Sequence, residues 1–184
     1  MPVDIFLVRH GEAAASWGQS PDPGLSKLGR EQAADAAQVL LPELDSDSLL
    51  ISSPLLRARE TAEPLASALG FPVREDSAFS EIPAPVPLPR RQDWLRGFMQ
   101  QQWQEQPGDL HRWRAAAYDG LLALDAPAVV FTHFLVINAV VGLVLNRPET
   151  LCFWPDNGSI TRLHNNGDNL ELRFLGEQMP THVN

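Results

Sequence analysis

Two histidines and two arginines of this chain stand where apolar runs stop. Arg9-His10-Gly11-Glu12 closes the run Ile5-Phe6-Leu7-Val8. Ser52-Ser53-Pro54-Leu55-Leu56-Arg57 follows Leu49-Leu50-Ile51, and Thr132-His133 follows Ala128-Val129-Val130-Phe131. Continuous Val/Ile/Leu/Phe, without polar alternation, is the pattern of strands covered on both faces by helices. Ligands of open α/β sheets collect in the crevice beyond the carboxyl ends of such strands. Two imidazoles and two guanidinium groups converging there make an anion site.

The elements that must position these groups follow from the rest of the pattern. Residues 13–24 form a polar, Gly/Pro-punctuated loop expected to rim the site. Ser26 can cap a helix whose apolar residues Leu28, Ala33, Ala36, Ala37 and Leu40 recur at helical spacing until Pro42. Ser53 as N-cap and Pro54 at the first helical position predict a second helix running towards Gly70, bent or interrupted near Pro64. That places Arg57 one turn in, where a helix N-terminus already favours anions. Arg59 competes with it, but two positions on is roughly 200° around the helix, so only one of them can face the crevice. Residues 71–74 read as a short strand, and residues 83–89 as an irregular proline-rich stretch. Trp94, Leu95, Phe98 and Met99, then Leu110, Trp113, Ala117, Leu121 and Leu122, predict two amphipathic helices whose aromatic stripe is core packing rather than a ligand platform. A strand at 128–131 precedes a buried helix over 134–145. Residues 159–163 and 170–174 alternate as a closing hairpin. The expected fold is three-layer α/β/α with a central, mostly parallel sheet, as a single domain over residues 1–184.

Bulk properties narrow the partners. The chain has 184 residues, 44% hydrophobic and 20% charged, with a net charge of −9, which is ordinary globular composition. An acidic surface disfavours nucleic acid and anionic membrane as partners, while a small phosphorylated molecule is still allowed by a locally positive pocket. Cys152 is the one cysteine, so no internal disulfide forms, and it reads as a small apolar residue. The N-terminal apolar run is too short and lacks the basic flank of a signal peptide, so a cytoplasmic location is expected. Residues 126–145 are interrupted by Pro127, Thr132, His133 and Asn138, which suits a strand and a buried helix better than a membrane span.

The blocks Arg9-His10-Gly11-Glu12, Leu25-Ser26-Lys27-Leu28-Gly29-Arg30-Glu31-Gln32-Ala33, Ser52-Ser53-Pro54-Leu55-Leu56-Arg57-Ala58-Arg59-Glu60-Thr61-Ala62 and Thr132-His133 occur in one order and spacing across nearly the whole chain. Together they resemble the histidine phosphatase superfamily, also called phosphoglycerate-mutase-like, and within it the small broad-specificity phosphatases. The resemblance implies His10 as nucleophile, Arg9, Arg57 and His133 as phosphate ligands, and Glu81 as proton donor. The family's glutamate is usually followed by an acidic-aromatic-glycine pattern, which Ile82-Pro83-Ala84-Pro85 replaces here, and Glu75 and Asp76 are its rivals. The family reads substrate with an Asn-like group six residues past the histidine. Ser16, beside Trp17, holds that place here, so these two are the candidate specificity residues.

The chemistry follows from residue type. A neutral His10 attacks phosphorus and forms a phosphoenzyme, while Arg9, Arg57 and His133 stabilise the non-bridging oxygens. Glu81 protonates the leaving oxygen and then deprotonates the attacking water. His111, His164 and His182 are expected to be structural or solvated. No His-x-x-x-His, cysteine pair or carboxylate cluster points to a metal, and no cofactor is expected. The reading is a metal-independent phosphomonoesterase (a phosphoric monoester hydrolase) acting on a small phosphorylated substrate, with inorganic phosphate as the other expected ligand. A phosphoglycerate mutase and a non-catalytic phosphate-binding protein are the alternatives. Substrate identity and oligomeric state are open from sequence.

Overall fold

Alternate residues of the first apolar run face opposite ways, and both ways are buried. Ile5 and Leu7 pack into one core, Phe6 and Val8 into another. Their strand, β1 (Val3–Arg9), lies inside a sandwich of two helical layers, which is why its sequence does not alternate. The computed structural model describes residues 2–15 and 19–180. Its sheet adds β2 (Leu49–Ser52), β3 (Val73–Glu75), β4 (Ala128–Thr132), β5 (Ile160–Asn165) and β6 (Leu170–Phe174), in the order β3-β2-β4-β1-β5-β6. The first four strands are mutually parallel, and β5 and β6 extend the sheet antiparallel. The expected mostly parallel sheet is therefore present, with the closing hairpin as its antiparallel margin.

Helices α1 (Lys27–Leu40) and α2 (Leu56–Leu69) cover one face, where Ala36, Ala37, Leu40, Ala62 and Leu65 meet Phe6, Val8, Leu50 and Phe131. Helices α4 (Gly108–Leu122) and α5 (Phe134–Val144) cover the other, where Leu121, Ile137, Val140 and Val141 meet Ile5, Leu7, Ile51 and Val130. Each such fully buried aliphatic side chain contributes about 1.5–3 kcal/mol relative to exposure. The short helix α3 (Arg91–Phe98) joins a third cluster, in which Leu95 and Phe98 pack with Ile82, Trp103, Leu110, Phe134 and Leu135. The aromatic stripe is core, as its spacing suggested. Trp94 stacks on Phe98 at 5.4 Å between ring centres.

Several local expectations are corrected. Leu28 is 48% exposed, so the buried face of α1 begins at Gly29 and Ala33 rather than at Leu28. Helix α2 starts at Leu56, not at Pro54, and runs unbroken through Pro64 to the left-handed cap Gly70. Gly11 serves a close approach of two backbones. A Cβ on it would lie 2.3 Å from the carbonyl oxygen of Gly29, and a Cβ on Gly29 would lie 2.1 Å from that of Glu12. The turn after β1 and the first turn of α1 thus press backbone to backbone. Among the described residues no helix is long and apolar enough to cross a membrane. Residues 126–145 divide into β4 and α5, and buried Asn138 accepts the backbone N–H groups of Cys152 and Phe153.

Candidate active site

Parallel register brings the three motif-bearing strand ends level. Arg9 pairs with Thr132 and Ser52 with Phe131, so the next residues on β1, β2 and β4 are His10, Ser53 and His133. The backbone pairing continues one residue past β1 and β2. His10 N–H donates to Thr132 O at 3.0 Å and Ser53 N–H to Phe131 O at 2.9 Å. The two imidazole rings lie 5.3 Å apart, edge to face. The loop before β5 fastens the same dipeptide from the other side: Gly158 N–H donates to Arg9 O, and Asn157 Nδ2 donates to His10 O at 3.1 Å.

The tautomer of His10 is set by what it touches. Its Nδ1 lies 2.7 Å from Gly11 O, which can only accept, and its Nε2 lies 3.2 Å from Arg57 Nε, which can only donate. Nδ1 therefore carries the hydrogen and Nε2 the lone pair. Burial, with Arg57 and then Arg9 beside it, holds His10 well below the usual histidine range. The ring is neutral at physiological pH, the state in which an imidazole can act as a nucleophile.

Arg9, Arg57, Glu81 and His133 complete the group, and none of the five is more than 9% exposed. Arg9 donates to Pro155 O at 2.8 Å and contacts Met179 Sδ at 3.3 Å, and burial lowers its pKa to about 10, leaving it charged. Arg57 is the second residue of α2, and burial lowers its pKa as well. The first N–H of that helix, from Leu56, is capped by Asp22 Oδ1 at 2.8 Å. A loop carboxylate thus takes the first helical N–H, while Ser53 Oγ accepts the N–H of Leu55 at 3.3 Å and also meets His133 Nε2 at 2.7 Å. Burial, then His10 and the arginines, pushes His133 well below its ordinary value, whereas burial raises Glu81 against the pull of Arg57, Arg91 and Arg9. The 3.9 Å approach of Glu81 Oε2 to His133 Nδ1 is accordingly a contact of a neutral ring with a carboxyl group driven towards its protonated form, not an ion pair.

The rivals lie elsewhere. Arg59 is exposed and pairs with exposed Glu75 at 3.6 Å. Asp76 caps the turn at Ser77–Phe79 through Ala78 N–H. His111 packs tilted against Trp103, and His164 hydrogen-bonds Asp4 at the far end of β1. Ser16, Trp17 and His182 lie outside the described residues. The cleft above the cluster has a volume of about 400 Å³ and is walled by Ala13, Ala15, Pro21 and Pro23 on the loop side and by Leu88, Arg91 and Leu95 opposite. Among the described residues no group of three or more His, Cys, Asp or Glu side chains is placed to hold a metal ion.

Sequence reasoning missed Arg91, Asn157 and Asp22. The only local signals were an Arg-Arg pair after prolines, an Asn-Gly turn and a loop acid, none of which specifies a place in the cleft.

The chain matches the model of the histidine phosphatase superfamily (branch 1) over residues 5–178. It belongs to that superfamily. An 81-residue stretch, 42% of this chain and 35% of the relative, is 38% identical to the glucosyl-3-phosphoglycerate phosphatase of Mycolicibacterium vanbaalenii. Over 178 residues, 94% of this chain and 64% of the relative, it is 29% identical to the mitochondrial serine/threonine-protein phosphatase PGAM5 of Xenopus laevis. The chain thus spans about a third of the first relative and just under two thirds of the second. Among solved structures it is similar to a mycobacterial glucosyl-3-phosphoglycerate phosphatase complexed with inorganic phosphate, with a TM-score of 0.69 and 23% identity over 96% of this chain and 98% of the other. At that identity the likeness is one of fold. The superfamily motifs quoted from the sequence are thereby placed on a matching α/β sandwich, with the arginine-histidine pair at the end of its central strand.

Proposed function

We propose that the protein is a phosphomonoesterase for a small phosphorylated metabolite, working through a phosphohistidine on His10 without a metal ion. The observation that carries this reading is the state of His10: a buried neutral imidazole whose lone-pair nitrogen lies 3.2 Å from a buried guanidinium. His10 Nε2 attacks phosphorus, the ester P–O bond breaks, and the proton of Glu81 passes to the departing alkoxide. Water then attacks the phosphohistidine, gives its proton to the Glu81 carboxylate, and inorganic phosphate leaves. Arg9, Arg57 and His133 hold the non-bridging oxygens throughout, supplying the charge on which phosphoryl transfer depends. In support, Arg9 Nε and His133 Nδ1 are buried without a hydrogen-bond partner among the described residues, and phosphate oxygens would satisfy such groups. A cleft of about 400 Å³ suits a small ester. The phosphate complex of a structurally similar phosphatase agrees with the same ligand chemistry.

The test is release of inorganic phosphate from 4-nitrophenyl phosphate and a panel of phosphorylated metabolites, with and without strong chelator. Turnover that persists in chelator supports the reading, whereas abolition by chelator and rescue by a divalent ion refutes its metal independence. Efficient isomerisation of 3-phosphoglycerate with catalytic 2,3-bisphosphoglycerate, without phosphate release, would replace the phosphatase with a mutase. Phosphate binding without any turnover would make it a binding protein.

A further inference from the structure

Glu81 belongs to no helix or strand, yet three carbonyls around it are held by side chains. Thr132 Oγ1 donates to Phe79 O at 2.7 Å, Trp113 Nε1 to Ser80 O at 3.0 Å, and Arg91 to Ile82 O at 3.2 Å. The third grip differs from the other two because its donor is charged and lines the cleft beside His10, Arg57 and Glu81. Ile82 is the coupling piece. Its N–H donates to Glu81 Oε1 at 3.0 Å, its C=O accepts from Arg91, and its side chain is fully buried against Leu95 and Phe98. A shift of Ile82 would therefore carry the carboxyl group with it.

We propose that Arg91 is a positioning residue for the carboxyl group of Glu81. The proposal rests on the phosphatase reading above. Arg91 is the first residue of α3 and is half-buried, so it can bridge from the helix to the cleft wall while its charge stays solvated. The charged or titratable groups facing Glu81 are Arg9 from β1, Arg57 from α2, Arg91 from α3 and His133 between β4 and α5. Burial raises the Glu81 pKa and the three arginines oppose it. Loss of Arg91 therefore raises it further, and the pH at which proton donation fails moves upward. A guanidinium that only bound a second anionic group on the substrate would not govern an ester lacking one.

The experiment compares wild type with Arg91→Met and Arg91→Lys on two esters with uncharged tails, a simple alkyl phosphate and 4-nitrophenyl phosphate, across pH. For Arg91→Met, kcat on the alkyl ester should fall about tenfold, less than the ~100-fold or more expected for losing a general acid outright. The nitrophenyl ester should change little, because its leaving group needs no proton. KM should hold for both, the basic limb of the alkyl profile should move to higher pH, and Arg91→Lys should recover most of the rate. Equal losses on both esters, or an unmoved limb, would overturn the proposal. So would a KM increase confined to esters with a second anion, which would make Arg91 a substrate subsite. A wild type inactive on both esters would remove the phosphatase reading and this proposal with it, whereas an active wild type with an indifferent Arg91→Met removes the proposal alone.

Discussion

The cleft has two halves of different construction. On one side, His10, Ser53 and His133 stand at the ends of β1, β2 and β4, aligned by strand register and by backbone pairing that continues one residue past β1 and β2. On the other side, Glu81 sits in an irregular segment between the turn at Ser77–Phe79 and the proline-rich run, held by side chains from β4, α4 and α3. The first half inherits its geometry from the sheet, so it is fixed as soon as the sheet forms. The second is assembled from single hydrogen bonds contributed by three separate elements. On the proposed function, the strand-end half is the anion site, which tolerates little movement of its cations, and Glu81 is a proton donor that has to reach only one oxygen, so the two constructions suit those demands.

The largest effect should come from the strand-end half. Replacing His10 with alanine should lower turnover of every ester by at least about 10⁴-fold, since residues that act as a covalent unit leave little behind when the nucleophile goes. Brief reaction of the wild type with labelled substrate should trap an acid-labile, base-stable phosphoramidate that His10→Ala cannot form. A trapped phosphoserine, or residual turnover within tenfold of wild type, would move the nucleophile out of this half.

The contrast in legibility follows the same division. Arg9, His10, Arg57 and His133 could be read because a strand of known direction puts the residue after its last apolar position at the sheet edge, and parallel strands of equal reach bring such residues together. Helical angle left room for only one of Arg57 and Arg59 at the crevice, and the family resemblance chose Arg57. The start of α2 was misjudged because Ser53 holds only the N–H of Leu55, before the helix, and the first helical N–H goes to Asp22, 34 positions from Leu56. The demand on Gly11 was not legible, because the contact that requires a glycine is with Gly29 on another element. Arg91, Thr132 and Trp113 were not legible as supports of Glu81. Their partners are backbone carbonyls far away in sequence, and a carbonyl carries no residue-type signature.

A second, intermediate effect separates Glu81 from the strand-end groups by leaving-group chemistry. Glu81→Gln should cost about 100-fold or more on an alkyl phosphate and far less on 4-nitrophenyl phosphate, while exposed Glu75→Gln should change neither. Its pH signature follows from the directions of the shifts. His10 must be neutral, and its depressed pKa keeps it so well into acid; Glu81 must be protonated, and its raised pKa keeps it so above the ordinary carboxyl range. Alkyl-ester turnover should therefore persist above the ordinary carboxyl range and decline as pH rises through the raised Glu81 pKa. That declining limb should vanish in Glu81→Gln. If the limb persists in the variant, another group donates the proton.

The smallest effect tests whether the irregular half is held by individual bonds. Thr132 cannot serve, because it ends β4 and its loss would disturb both halves. Trp113 can. It lies on α4, away from the strand ends, and its Nε1–H reaches Ser80 O at 3.0 Å. Trp113→Phe keeps an aromatic ring in the core and removes that donor, which should cost about 0.5–1.5 kcal/mol of stability. A control of similar cost is Ile137→Val in the buried face of α5, expected at about 0.5–1.5 kcal/mol. Both variants should unfold at lower denaturant by similar amounts, yet they should differ in chemistry. Freed at Ser80, the segment bearing Glu81 should lose a few-fold in kcat on an alkyl phosphate and almost nothing on 4-nitrophenyl phosphate, while Ile137→Val should leave the ratio of the two rates unchanged. Equal ratios in both variants would mean that packing of Phe79 and Ile82 alone holds the donor, and that the two halves of the cleft are built in the same way after all.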